Sequence, residues 1–152
     1  MKQHFEIQRA TRTNILAAIE GLSTEQLNQI PEGFNNNIIW NICHILVTQQ
    51  LLIYGLSETP FTIDNSLIEQ FRKGTFASAP LSKSEIETIK SIFISSIDAC
   101  QKDYENEVFQ AYKTYTTSYN ITLESAEDAI LFNNIHEGLH YGYIMAMKKL
   151  VT

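Results

Sequence analysis

Four stretches of the chain carry residues at the three-to-four spacing of an amphipathic helix. Phe5, Arg9, Arg12, Leu16 and Ile19 predict a first helix from about Lys2 to Glu20, with Gly21 as its stop. Ser23-Thr24-Glu25-Gln26 fits a capping box that opens a short helical turn, ended by Pro31-Glu32-Gly33. The Asn35-Asn36-Asn37 run offers an N-cap for a second helix, from about Asn37 to Tyr54, closed by Gly55. Ser82-Lys83-Ser84-Glu85 is another capping box. It begins a third helix through Ile86, Ile89, Phe93, Ile97, Cys100 and Tyr104, expected to run to about Tyr112. A fourth begins near Thr122 or Leu123, with Glu124, Glu127 and Asp128 in its first turns and Lys148 and Lys149 in its last, a charge polarity that suits the helix dipole.

Between the second and third helices, residues 56–80 lack long periodicity, although Ser66 to Arg72 fits a short helix. A connection of about 25 residues is long for a compact domain, and such segments are often lids or crossovers. Phe61 and Phe71 are its candidate contacts with a site, and Gly74 its candidate hinge. Lys113 to Ile121, rich in Thr and Tyr, reads as an extended link, and no segment has a strand signal strong enough to build a sheet. The pattern predicts an all-α fold, a four-helix bundle forming one domain over residues 1–152.

The second and fourth helices carry polar stripes beside apolar ones. Asn37, Asn41, His44 and Thr48 fall on one, and Asn133, His136, His140 and Tyr143 on the other. Ile38, Ile42, Ile45 and Leu52 flank the first, and Ile135, Leu139 and Ala146 the second. A polar stripe so flanked faces either solvent or a polar cavity within the bundle. Two imidazoles four residues apart, as in His136-Glu137-Gly138-Leu139-His140, have Cβ atoms about 6 Å apart and can reach one ion. The string also fits H-E-x-x-H, in which the Glu serves a zinc protease as general base. The segment that follows, Tyr141 to Thr152, has no His, Asp, Glu or Cys. A third ligand must therefore come from upstream, and His44 is the best candidate. Three neutral imidazoles leave a coordination position open, as catalytic sites do, and they suit Zn²⁺ or Ni²⁺. Glu137 lies one residue off the histidine stripe, and its two expected places are beside the metal as a catalytic base or in solvent. Asn41, Asn133 and Glu137 are the nearest candidates to hold the ligating rings.

Composition narrows the partners. The chain has 44% hydrophobic and 18% charged residues, as ordinary globular proteins do. A net charge of −6 without a basic run argues against nucleic acid and anionic membranes. The most apolar stretch, Ile38 to Leu56, contains Asn41, His44, Gln49 and Gln50 and is too polar to span a bilayer. The polar start Met1-Lys2-Gln3-His4 is unlike a signal peptide, and Cys43 and Cys100 are isolated, so a cytoplasmic location with reduced thiols is expected. A Gly-rich phosphate loop and a G-x-S-x-G elbow are both absent.

The order and spacing of several segments resemble the DinB-like (DinB/YfiT) superfamily of metalloenzymes over nearly the whole length. The segments are Leu22-Ser23-Thr24-Glu25-Gln26-Leu27, Pro31 to Asn35, Trp40-Asn41-Ile42-Cys43-His44-Ile45, Phe71-Arg72-Lys73-Gly74-Thr75, and His136 to Gly142, which matches an H-x-x-x-H-x-G signature. The resemblance implies an up-down-down-up topology, with a long crossover between the second and third helices. It also implies a metal held by His44, His136 and His140, and thiol-dependent S-transferase-type chemistry on a small molecule with a low-molecular-weight thiol. Where the family often has Gln after H-x-G, this chain has Tyr143. Two alternatives stand beside that reading. One is a metal hydrolase with Glu137 as base, and the other is a non-catalytic bundle that binds a small ligand or forms a homodimer.

Overall fold

The computed structural model describes residues 1–152. The fold is all-α, with one minute pair of strands. Helix α1 spans Lys2–Ala18, α2 Thr24–Asn28, α3 Ile38–Gln49, α4 Asn65–Phe71, α5 Lys83–Glu105 and α6 Ala126–Val151. Strands β1 (Tyr115–Thr116) and β2 (Thr122–Leu123) pair antiparallel. The four long helices lie side by side, α1 against α5 and α6, and α3 against the same two.

The expected caps form. Ser23 and Ser82 each accept a hydrogen bond from the backbone N–H three residues on, while Gln26 and Glu85 reach back to the cap N–H. These reciprocal bonds satisfy two of the donors that a helix start leaves open. Asn37 caps α3 by accepting from Trp40 N–H at 2.8 Å. Two boundaries differ from expectation. Helix α5 stops at Glu105 rather than near Tyr112, and Glu107 adopts a left-handed φ of 56° just beyond it. Helix α6 starts at Ala126, because Ser125, rather than Thr122, supplies the cap oxygen to Asp128 N–H. The stretch read as an extended link closes into the β1–β2 hairpin, where Thr117 N–H donates to the Ile121 carbonyl at 2.9 Å.

Helix α3 is the most enclosed element. Its apolar residues from Ile38 to Val47 join α1, α5 and α6 in one large cluster with Ile15, Ile89, Phe93 and Met147. Contrary to the expectation that this stretch is too polar to span a bilayer, Ile38–Gly55 is long and apolar enough on average to do so, its apolar residues outweighing Asn41, His44, Gln49 and Gln50, and 78% of it is buried within the protein. At Gln50 the helix widens into a π-helical segment, Gln50–Gly55, where Leu56 N–H bonds back five residues to Leu51 O. Such turns insert one residue and re-aim the side chains beyond them, often beside functional sites.

Helix α6 does not bury the apolar flank of its histidine stripe. Ile135 and Leu139, which flank that stripe, are 51% and 44% exposed. The inward face instead carries Ala129, Ile130, Asn133, Glu137, Ile144 and Met147. A charged residue on the innermost line of a helix requires a buried partner, and that partner is Arg12 of α1.

Candidate metal centre

Helix α3 contributes His44 and helix α6 contributes His136 and His140. Their ligating nitrogens all lie within 4.8 Å of one another. The closest pair is Nε2 of His140 and Nε2 of His136, at 3.1 Å. The stripes read from the sequence thus face each other, as two packed helices carrying polar residues at matching heights must.

Two of the rings have fixed tautomers. His44 Nδ1–H donates to the carbonyl of Phe71 at 2.7 Å, and His140 Nδ1–H donates to Oδ1 of Asn41 at 2.7 Å. Each bond commits Nδ1 as donor and leaves Nε2 with a lone pair toward the other rings, the arrangement a metal-ligating histidine needs. Asn41 is steadied in turn, its amide donating to the Asn37 carbonyl at 2.8 Å. Trp40 stacks on the His44 ring at 4.7 Å and 12°. The hydroxyl of Thr48 lies 3.4 Å from His44 Nε2. Asn133, another expected partner, is fully buried and bonds to none of the rings, and His136 Nδ1 also lacks a protein partner.

The electrostatics keep these rings neutral. Burial, reinforced by the neighbouring His140 and His44, lowers the His136 pKa to about 2. Burial and then His44 lower His140 to about 4. His44 is lowered chiefly by burial and further by the charge of Lys73, against the opposing bond to Phe71. Neutral imidazole is the form that binds a metal. Three such donors with two oriented rings fit a divalent ion, with His44, His136 and His140 as the residues that could hold it.

Glu137 requires correction. Neither of its expected places, beside the histidine site as a base or in solvent, is where it lies. The side chain is fully buried and points into α1. Oε1 receives Arg12 Nη2 at 2.7 Å and Gln8 Nε2 at 3.0 Å, and Oε2 receives Arg12 Nε at 3.1 Å. Burial raises the Glu137 pKa, while the guanidinium and the Gln8 amide pull it back. Arg12 also donates to Gln49 Oε1, Ser96 Oγ and the Phe93 carbonyl. This carboxylate is engaged in a closed structural network, and the hydrolase reading loses its base.

Two cavities meet at the histidines, sharing Leu139 and His140 in their walls. One, of about 550 Å³, includes all three histidines, with Leu51, Leu52, Leu56 and Phe132 as apolar wall. The hairpin closes it through Tyr115, Thr117 and Tyr119, residues that the sequence marked only as a Thr- and Tyr-rich link. The other, of about 800 Å³, lies toward the α2–α3 connection beside Phe34, Asn36, Trp40, Asn41 and Tyr143. The long crossover reaches the site at one end. The Phe71 carbonyl holds His44, and Lys73 lines the smaller cavity. The Phe71 ring is itself buried in the core, and the Phe61 ring packs over Gly55.

No curated protein matches the chain in sequence. The family model of the DinB superfamily matches residues 8–144, a span that contains all three histidines. The chain belongs to the DinB superfamily.

Proposed function

We propose that the protein is a metal-dependent enzyme that carries out S-transferase-type chemistry on a small molecule, with a low-molecular-weight thiol as the sulfur donor. The carrying observation is the facing set of imidazoles, two of them fixed so that Nε2 points inward, opening onto a largely apolar cavity. A structural site would close all its positions with protein ligands, whereas three histidines leave room for a reactant. When bound, the ion, with Zn²⁺ or Ni²⁺ favoured by the imidazole set, supplies Lewis acidity toward a thiol or water at its open position. The chain's own residues do the rest. Asn41 and the Phe71 carbonyl hold the rings, Trp40 packs against His44, and the leucine wall excludes water from the reacting atoms. In the transfer, the S–H bond breaks and the sulfur bonds to an electrophilic carbon as that carbon's bond to halogen or to an epoxide oxygen breaks; the proton goes to solvent with the released halide, or onto the ring-opened oxygen.

Family membership and the side-by-side packing of α1, α3, α5 and α6, with a long α3–α5 crossover, support an up-down-down-up four-helix bundle as its scaffold. The acidic net charge supports a soluble cytoplasmic setting without nucleic acid or membrane partners. Leu131, Ile135, Leu139 and Tyr143, all exposed along α6, favour a homodimer as the working form.

The test is product formation by the zinc- or nickel-loaded protein from a panel of low-molecular-weight thiols paired with aryl-halide and epoxide electrophiles, read by mass spectrometry. Thioether product that disappears in His136→Ala supports the reading. A fully metal-loaded protein that makes no thioether from any pair overturns it.

A further inference from the structure

The smaller cavity has an unusual charge balance. Fifteen residues line it, and Lys73 is the only Asp, Glu, Lys or Arg among them. In a chain with 17 acidic and 11 basic side chains, a cavity wall with a cation and no carboxylate runs against the average. Lys73 is also unspent. It takes part in none of the salt bridges, whereas its neighbour Arg72 pairs with Glu69. Its position is set by the same turn that orients His44. Helix α4 ends at Phe71, whose carbonyl accepts the His44 N–H, and Lys73 follows two residues later, before Gly74 turns the chain at φ +90°. The three histidines are neutral donors and would bring no counter-charge to a divalent ion. Together the ion and the ammonium would present about three positive charges to an apolar pocket without an anionic wall residue.

We infer that this cavity binds an organic monocarboxylate, its acid group paired with the Lys73 ammonium and its apolar body lying against Leu51, Leu52, Leu56 and Phe132, in the cavity that the three histidines also line. One lysine is a single point charge in the wall and matches the single charge of a carboxylate, whereas a phosphate monoester would bring nearly two charges to one ammonium. The apolar wall gives affinity to the hydrocarbon part, and the cation fixes where the acid group lies. This assignment rests on the proposed function only in placing the reacting end of the molecule at the histidines.

The test is calorimetric titration of the full chain, zinc-loaded and metal-free, with 4-phenylbutyrate and with its neutral amide, alongside metal analysis of each sample. The carboxylate should bind about fivefold more tightly than the amide, a preference that fades in high salt. Lys73→Gln should remove the preference and leave amide binding and zinc content unchanged, and Lys73→Arg should keep it. A preference that survives in Lys73→Gln means that the acid is held elsewhere, by the ion itself for example, and overturns the assignment. Equal binding of the two ligands, or binding of neither, overturns it as well. If zinc is not retained, the metal reading fails. The metal-free titration then decides alone, with a Lys73-dependent preference supporting the carboxylate site and none overturning it.

Discussion

Oδ1 of Asn41 lies 2.7 Å from Nδ1 of His140, joining helices α3 and α6 across 99 positions of sequence. The bond fixes one imidazole tautomer and also locks the relative height of the two helices that carry the three histidines. Replacing Asn41 with Ala should weaken metal affinity by about 10- to 100-fold, the usual cost of losing a partner behind a ligating histidine. Competitive chelator titration would measure it. An unchanged affinity would mean that packing alone orients His140.

The Arg12–Glu137 pair should be structural. Glu137→Gln is expected to destabilise the fold by about 3 kcal/mol, since it leaves a buried guanidinium without its counter-charge. Zinc content of the folded fraction should stay the same. The double replacement Arg12→Met/Glu137→Leu should recover most of that stability, because buried pairs are often replaceable by apolar residues of similar volume. Denaturant unfolding and metal analysis check both. Loss of metal or turnover in a fully folded Glu137→Gln protein would return the carboxylate to the site.

Acid should destabilise the metal-free protein from near neutrality downward. Unfolded imidazoles take up protons near pH 6.5, whereas the folded chain holds His140 neutral to about pH 4 and His136 to about pH 2. Below pH 6.5 the unfolded chain therefore binds more protons, and stability falls as pH drops through that window. Thermal unfolding at pH 7 and pH 5 should show a clear drop, and a His136→Gln/His140→Gln protein a smaller one. Equal drops in the two proteins would place the acid sensitivity elsewhere.

The parts of this molecule that the sequence made legible are local. Ser23 with Gln26, and Ser82 with Glu85, announce helix starts because a cap is a relation between residues three apart. His136 and His140 announce a shared target for the same reason, and His44 is the best upstream candidate, supported by the family resemblance. What stayed hidden depends on distant partners. Glu137 looked like a base or a surface charge because its partner, Arg12, lies 125 residues away on α1. That buried pair also explains why α6 turns Ile135 and Leu139 outward, against simple hydrophobic pattern. The Phe71 carbonyl that holds His44 has no side-chain signature at all. The hairpin residues Tyr115 and Tyr119 join the cavity only once α5 stops at Glu105 and the chain doubles back.

One metal ion held jointly by His44, His136 and His140 is the proposal on which the chemistry depends. It is tested most directly by metal analysis of the protein purified without a polyhistidine tag, then by titration of zinc and nickel into the stripped protein. One tightly held ion per chain is expected, with binding lost or strongly weakened in His44→Ala, His136→Ala and His140→Ala and retained in His4→Ala. A tagless protein that retains and binds no ion, or three histidine variants that bind as the parent does, would contradict it.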